Sequence, residues 1–346
     1  MSDTCCIILA AGEGKRMNSD EPKVLSKVLF KPMLGWIIDA VSGSNIENIC
    51  VVKGFKHEIV QKYLDSLDIK CESVIQTERK GTAHAVMTAK EFLESHKGSD
   101  VLVLGGDSPF IDKETIINSY QIHKTEGNSA TIISSKVDNP FGYGRIIRST
   151  LDNTVIGIIE EKDADSKQRA TKEINSGVYW FKIDDLLSKL FEIGNNTSQN
   201  EYYLTSIIKL FIEDGFKVNA FNAKSSEIVL GANDLRQLEY LNTIAKNNII
   251  DKLIENGVDI PCRDGVIIGC DTIIQDKVTI FPNTMILGKS VILKGAKIGP
   301  NSQILDSKIG ENAVFNSSCC KNSVIANDTI VAPFTYVEGG GSEINI

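Results

Sequence analysis

The chain has 346 residues, of which 42% are hydrophobic and 24% charged, with a net charge of −8. That length allows one large domain or two to three ordinary ones, and the composition is that of a soluble globular protein. The acidic balance argues against a nucleic-acid surface, which would carry a basic stripe, although it leaves room for a local basic patch.

The N-terminus is apolar only from Cys5 to Ala11 and has no basic leader, so it makes a poor signal peptide. No apolar run approaches the roughly 20 residues of a membrane helix. A cytoplasmic protein without membrane or nucleic-acid partners is expected. Its eight cysteines, none in a CxxC, read as reduced, mostly buried thiols.

Residues 1–230 alternate short β-branched runs with longer amphipathic ones. CCIILA, NICVV, CESVIQ, DVLVLG and SATIISS predict strands. PMLGWIIDAV, HEIVQKYLDSL, TAHAVMTAKEFLESH and KETIINSYQIHK predict helices. Such alternation implies an α/β domain whose parallel sheet is covered on both faces, with ligands beyond the carboxyl ends of the strands.

Residues 231–258 change pattern. Leu235, Leu238, Leu241, Ile249 and Leu253 recur at helical spacing, predicting one long connecting helix. In residues 259–346, Ile268, Ile274, Ile280, Ile286, Ile292, Ile298 and Ile304 stand six apart. Two positions before each is a small or β-branched residue, from Val266 to Ser302. A period of six suits neither an α-helix nor a hairpin sheet but fits stacked triangular coils of a parallel β-helix. The register slips near Ile309 and is expected to resume at Cys319, Ile325, Val331 and Val337.

The chemistry-bearing stretches sit at predicted strand ends. LAAGEGKRM at 9–17 is neither a dinucleotide fingerprint, because Met17 replaces the third glycine, nor a Walker loop, because Arg16 follows Gly-Lys. Gly12 and Gly14 allow a loop whose amides approach an anion, and Arg16 and Lys23 add charge, Arg as a fork for phosphate oxygens. In LGGDSPF, Asp107 could hold Mg²⁺, which takes few protein oxygens. EEKD at 160–163 reads by itself as a solvated charge run, and His84 as a packing or hydrogen-bonding residue.

LAAGEGKRM…PKVL, VIQTERKGTAHAV, LGGDSP, NPFGYGRIIR, IIEEKDA, KEINSGVY, NEYYLTSI and GAND, in that order, resemble the N-acetylglucosamine-1-phosphate uridylyltransferase family, including its bifunctional bacterial form. The resemblance implies a doubly wound, Rossmann-like nucleotide-sugar transferase domain, then the connecting helix and a short left-handed β-helix that forms a homotrimer. Leu9, Ala10, Ala11 and Gly12 would line the nucleotide, with Gly105 and Gly106 nearby. Arg16 and Lys23 would act in catalysis, and Gln76, Gly81 and Thr82 would read uracil. Gly144, Glu160 and Asn175 would face the sugar phosphate, and Asp107 and Asn233 would ligate Mg²⁺. UTP and N-acetylglucosamine 1-phosphate would be the substrates.

The chain departs from the family at Gly105, where a tyrosine is usual, at Lys15, where threonine precedes the arginine, and at Asn200 and Ser206 near the sugar. The β-helix lacks histidine, so acetyl transfer is expected to be absent. The rivals are another nucleoside triphosphate and sugar pair, or a non-catalytic scaffold. The retained Arg16, Lys23, Asp107 and Asn233 speak against the scaffold.

Overall fold

A computed structural model describes residues 4–17, 20–194 and 201–339; the Lys15 side chain and Asn200 lie outside the described residues. The chain divides into two compact units, one of residues up to 26 and 32–238, the other of 27–31 and 239 onward.

The first unit is built on a nine-stranded sheet. Its strands are β1 (Thr4–Ala10), β2 (Asn48–Lys53), β3 (Glu72–Ile75), β4 (Asp100–Gly105), β5 (Ala130–Lys136), β6 (Arg145–Arg148), β7 (Val155–Ile159), β8 (Glu173–Lys182) and β9 (Val218–Asn222). The main order is β9-β5-β8-β4-β1-β2-β3, with β6 pairing both β8 and β7. The apolar run of β1 is continuous because both its faces are buried. Cys5 and Ile7 join one core with Val86, Phe92, Leu186 and Phe211. Cys6, Ile8 and Ala10 join the other with Leu34, Ile37, Val60 and Ile116.

Helices α1 (Met33–Gly43), α2 (His57–Asp65) and α5 (Lys113–Glu126) cover that second face. Helices α3 (Thr82–Thr88), α4 (Lys90–Ser95), α7 (Ile183–Leu190) and α8 (Thr205–Glu213) cover the first, and the single-turn α6 (Ser166–Arg169) lies between β7 and β8 in the chain. The expected single helix over TAHAVMTAKEFLESH is thus two, parted at Ala89. The sheet is also not wholly parallel: β8 runs antiparallel between β4 and β5. Strand–helix alternation does not reveal it, because β8 follows the β6–β7 hairpin rather than a crossover helix.

Helix α9 (Leu235–Glu255) buries Leu241, Ala245 and Ile250 and leaves Leu235 exposed. In the second unit, residues 27–31 are tied by Leu29 N–H to Asn242 Oδ1 (2.8 Å) and by Lys31 to Asp271 (2.7 Å). Three parallel ladders follow, pairing Ile268–Ile286–Ile304–Cys320–Val337, Ile274–Ile292–Ile309–Ile325 and Ile280–Ile298–Phe315–Val331. These are the sides of a β-helix of the left-handed, hexapeptide kind. Its interior is the predicted aliphatic stack, and the small residues before it, Thr284, Ser290, Ala296 and Ser302, are buried at the corners. After Ile304 the coils shorten, so Ile309 stays inward and Cys320, not the expected Cys319, fills the core.

None of the eight cysteines is in a disulfide, and four of them are buried. Burial pushes the thiols of Cys5 and Cys50 up to about 12, far from a nucleophile's range. Among the described residues no helix is long and apolar enough to cross a membrane.

Candidate active site

The carboxyl end of β1 opens onto two adjoining hollows of about 550 and 500 Å³, which share Leu9, Thr82 and Gly177. The larger is walled by the loop after β1, by Gln76 after β3, by Gly105 at the end of β4 and Asp107 beyond it, and by Asn233. This is where a doubly wound sheet holds ligands.

Gly14 shapes the first wall. Its φ is +67°, and a Cβ there would lie 2.5 Å from Lys23 Cβ, so only glycine lets the loop cross the lysine stem. Gly12 is not in the left-handed region and has open space around it, so its contribution is exposed backbone rather than an unusual angle. Lys15–Met17 forms a single 3₁₀ turn, which leaves Arg16 exposed at the hollow. Lys23 is buried, and its ammonium donates to Asp107 Oδ2 at 2.5 Å and to Asn233 Oδ1 at 2.7 Å. Residues 84 and 210 positions apart therefore converge on one point.

Gln76 is also buried; its Nε2 donates to the Gly81 carbonyl (3.1 Å) and meets His84 Nδ1 (2.9 Å), which fixes the amide plane. Gly81 has a φ of +97°, and a Cβ there would lie 2.5 Å from the Tyr202 carbonyl. Thr82 Oγ1 accepts from Leu204 N–H at 2.9 Å, so segment 202–204 is laced to the start of α3. Arg79, paired with Glu13 at 2.8 Å, lines the same hollow and was not foreseen. Gly105 lines it as well, and a side chain there would meet Asp107 Oδ1 at 2.8 Å.

The smaller hollow is lined by Glu160, Glu161, Lys162, Asn175, Tyr179, Tyr203 and Thr205, besides the shared residues. The expectation of a solvated EEKD run is corrected here. Glu160 Oε1 accepts from Thr205 Oγ1 (3.2 Å), Glu161 is ion-paired to Arg145, and Lys162 lies over the Tyr203 ring. Asn175 begins the irregular part of β8, where the register shifts between Asn175 and Val178. Its Nδ2 donates to the Tyr179 hydroxyl (2.6 Å) and its Oδ1 accepts from Gly177 N–H (3.0 Å). Burial holds that phenol well above the usual tyrosine range, as a neutral group.

Of the foreseen residues, Leu9, Ala11, Gly12, Arg16, Lys23, Gln76, Gly81, Thr82, Gly105, Asp107, Asn233, Glu160 and Asn175 line the two hollows. Ala10 does not, because strand alternation turns it into the core. Gly106 binds the Leu9 carbonyl through its N–H (2.8 Å). Gly144 lies behind the wall, packed against Glu160 and Asn175. Ser206 is likewise absent from the lining. The unforeseen Tyr203 and Thr205 lie within NEYYLTSI, but folding over a segment more than 100 residues away leaves no local signal.

A family model for nucleotidyl transferases matches residues 5–246. The bifunctional protein GlmU of Clostridium acetobutylicum is 40% identical over 333 residues, covering 96% of this chain and 72% of that protein. GlmU of Acetivibrio thermocellus is 40% identical over 334 residues, covering 96% and 71%. A solved Bacillus anthracis structure, described as a candidate glucose-1-phosphate thymidylyltransferase, matches with a TM-score of 0.58 at 20% identity, over 70% of this chain and 95% of that one. That last likeness is one of fold. The chain therefore belongs to the nucleotidyl transferase family and, within it, is a sugar-phosphate nucleotidyltransferase of the GlmU kind.

Proposed function

We propose that the protein joins UTP to N-acetylglucosamine 1-phosphate, forming UDP-N-acetylglucosamine and pyrophosphate. The observation that carries this reading is the paired hollow. One half is walled by Arg16, Lys23 and Arg79 beside Asp107 and Asn233; the other is lined by carboxylate, amide and hydroxyl groups suited to a sugar.

In the reaction a sugar-phosphate oxygen attacks the α-phosphorus of UTP. The new P–O bond forms as the bond to the bridging β-phosphate oxygen breaks, and that oxygen leaves on pyrophosphate with the electron pair. The nucleophile needs no general base, since a phosphate monoester's second pKa is about 6. Among the described residues no His or Cys lines either hollow, which is consistent with that chemistry.

Asp107 and Asn233 fit a hard divalent ion, because their oxygens already bracket one cation, the Lys23 ammonium. Among the described residues no group of three or more His, Cys, Asp or Glu side chains could hold a metal, so phosphate and water would complete the shell. Mg²⁺ bound there would neutralise triphosphate charge. Arg16 and Lys23 place positive charge where two anions must meet, and Gln76 offers its amide oxygen to the base.

Pyrophosphate release measured across four nucleoside triphosphates and several sugar 1-phosphates tests this. Preference for another pair would overturn the specificity, and no release from any pair would overturn the reaction. We also propose a homotrimer through the β-helix, which sedimentation equilibrium checks. No acetyl transfer is assigned to the described coils, since every histidine precedes them; CoA release from acetyl-CoA and glucosamine 1-phosphate would overturn that.

A further inference from the structure

We propose that Arg145, which lines neither hollow, is the positioning residue that sets the sugar-facing wall of the cleft; the inference rests on the sugar-phosphate reading of the smaller hollow. Arg145 opens β6 and stands in register with Ile159 at the end of β7 and Ile174 in β8. Gly144 precedes this rung, while Glu160 and Asn175 follow its other two members. The three residues expected to face the sugar therefore flank one backbone rung. The Asn175 N–H donates to the Gly144 carbonyl at 2.9 Å, closing it.

The Arg145 side chain fastens the loops that leave this rung. It is 1% exposed. Its Nη2 donates to Glu161 Oε2 at 2.5 Å, and its Nη1 donates to the Tyr143 carbonyl. The same Glu161 oxygen accepts from Gly142 N–H at 3.1 Å, and Arg169 approaches the other carboxylate oxygen at 3.6 Å. One guanidinium and one carboxylate thus tie residues 142–145 to the turn that carries Glu160. These bonds hold the Glu161 carboxyl below the ordinary glutamate range.

Stability is a poor explanation for this arrangement. Arg145 is buried but Glu161 is 24% exposed, so water screens their attraction while the guanidinium still bears its desolvation, and the pair yields little net stability. Arg145 Nε is moreover buried without a partner. What the pair does supply is geometry: a forked, planar donor fixes two loops at once. Displacements near 1 Å at a reacting group can cost about 100-fold in rate.

The test uses the full-length protein with the nucleotide and sugar 1-phosphate pair that the wild type turns over best. Arg145→Met should raise KM for the sugar phosphate about tenfold or more while KM for the nucleotide stays within about twofold. Arg145→Lys should recover part of the loss. The paired change Arg145→Met with Glu161→Met, read by thermal unfolding alone because Glu161 itself lines the sugar-facing hollow, should keep the thermal midpoint and so guard against simple misfolding. Hydrogen exchange should lose protection at 142–145 and 160–163 in Arg145→Met and nowhere else in the domain. Parallel change in both KM values, an unchanged sugar KM, or unchanged exchange in those loops would each overturn the proposal. If the wild type released pyrophosphate from no pair, the proposed function would fall, and the exchange result would decide whether the clamp exists.

Discussion

Replacing Lys23 by methionine separates catalysis from folding. The lysine ammonium makes two charge-assisted contacts, to Asp107 and Asn233, and the stem passes under Gly14. Methionine keeps the stem and removes the charge, so the Gly14 crossing survives. Each lost bond would matter by about 1.5–3 kcal/mol if its partner stayed dry. The Asp107 side chain is 36% exposed, however, and regains water when the ammonium goes. The net loss of stability should therefore be about 1–2 kcal/mol, or about 2–8 °C in Tm for a unit of this size. The loss in catalysis is larger, because a preorganised donor aimed at developing charge is worth about 100- to 1000-fold in kcat. The assay is pyrophosphate release at saturating substrates, beside thermal unfolding of the same sample. Turnover within about threefold of wild type, or activity lost only in proportion to unfolding, would refute the role given to Lys23.

Arg16→Ala should unfold with the wild-type Tm, because the side chain is exposed, and should lose about 100- to 1000-fold in kcat by the same assay. Chelation should abolish turnover yet leave Tm within about 2 °C, since Lys23 holds the two oxygens together without an ion; a large fall would mean that the metal is structural. Glu173 gives a pH signature. Burial alone would raise its carboxyl, but the bonds from Arg148 (2.8 and 2.7 Å) and Ser134 (2.7 Å) hold it below the ordinary value. A depressed folded pKa stabilises the protein above the unfolded value of about 4.3, and the effect is lost as pH falls through the folded pKa. Glu173→Gln should therefore cost about 1–3 kcal/mol by urea unfolding at pH 7, and the gap to wild type should narrow steadily below about pH 4.

Much of the cleft was legible because its parts sit at the ends of strands that announce themselves. β1 and β4 are apolar runs and β3 is a shorter strand ending in Val74 and Ile75; Leu9–Gly14, Gln76 and Gly105–Asp107 stand at or just past their ends, which a parallel sheet brings to one edge. The β-helix was legible for a different reason: its core repeats, and only the shortened corners after Ile304 displaced the reading by one residue, from Cys319 to Cys320. Partners far apart in sequence carried no such sign. Nothing near Lys23 foretells that its ammonium meets both Asp107 and Asn233, and nothing near Thr205 foretells Glu160.

Four strands of the sheet, β6 to β9, went unread in the sequence, and one of them, β8, makes a second hollow possible. A parallel strand delivers residues to the cleft from its end, where the chain is leaving the sheet. β8 runs the other way, with Tyr179 opposite Val103 and Lys182 opposite Asp100, so its beginning lies beyond the end of β4. Residues entering a strand can be bent by a bulge without disturbing the ladder that follows, and the register shift between Asn175 and Val178 is such a bend. It aims Asn175 and Gly177 into the cleft, beside the buried Tyr179, while Val178, Trp180 and Phe181 stay packed in the core. The same entry point places β8 beside Arg145, so the reversed strand, the β6–β7 hairpin and the Glu161 clamp form one wall. An all-parallel sheet would supply the loops at its strand ends and would have no such wall to set against them. The proposed division of labour, with strand ends holding anions and a strand start facing the sugar, would therefore follow from the direction of a single strand.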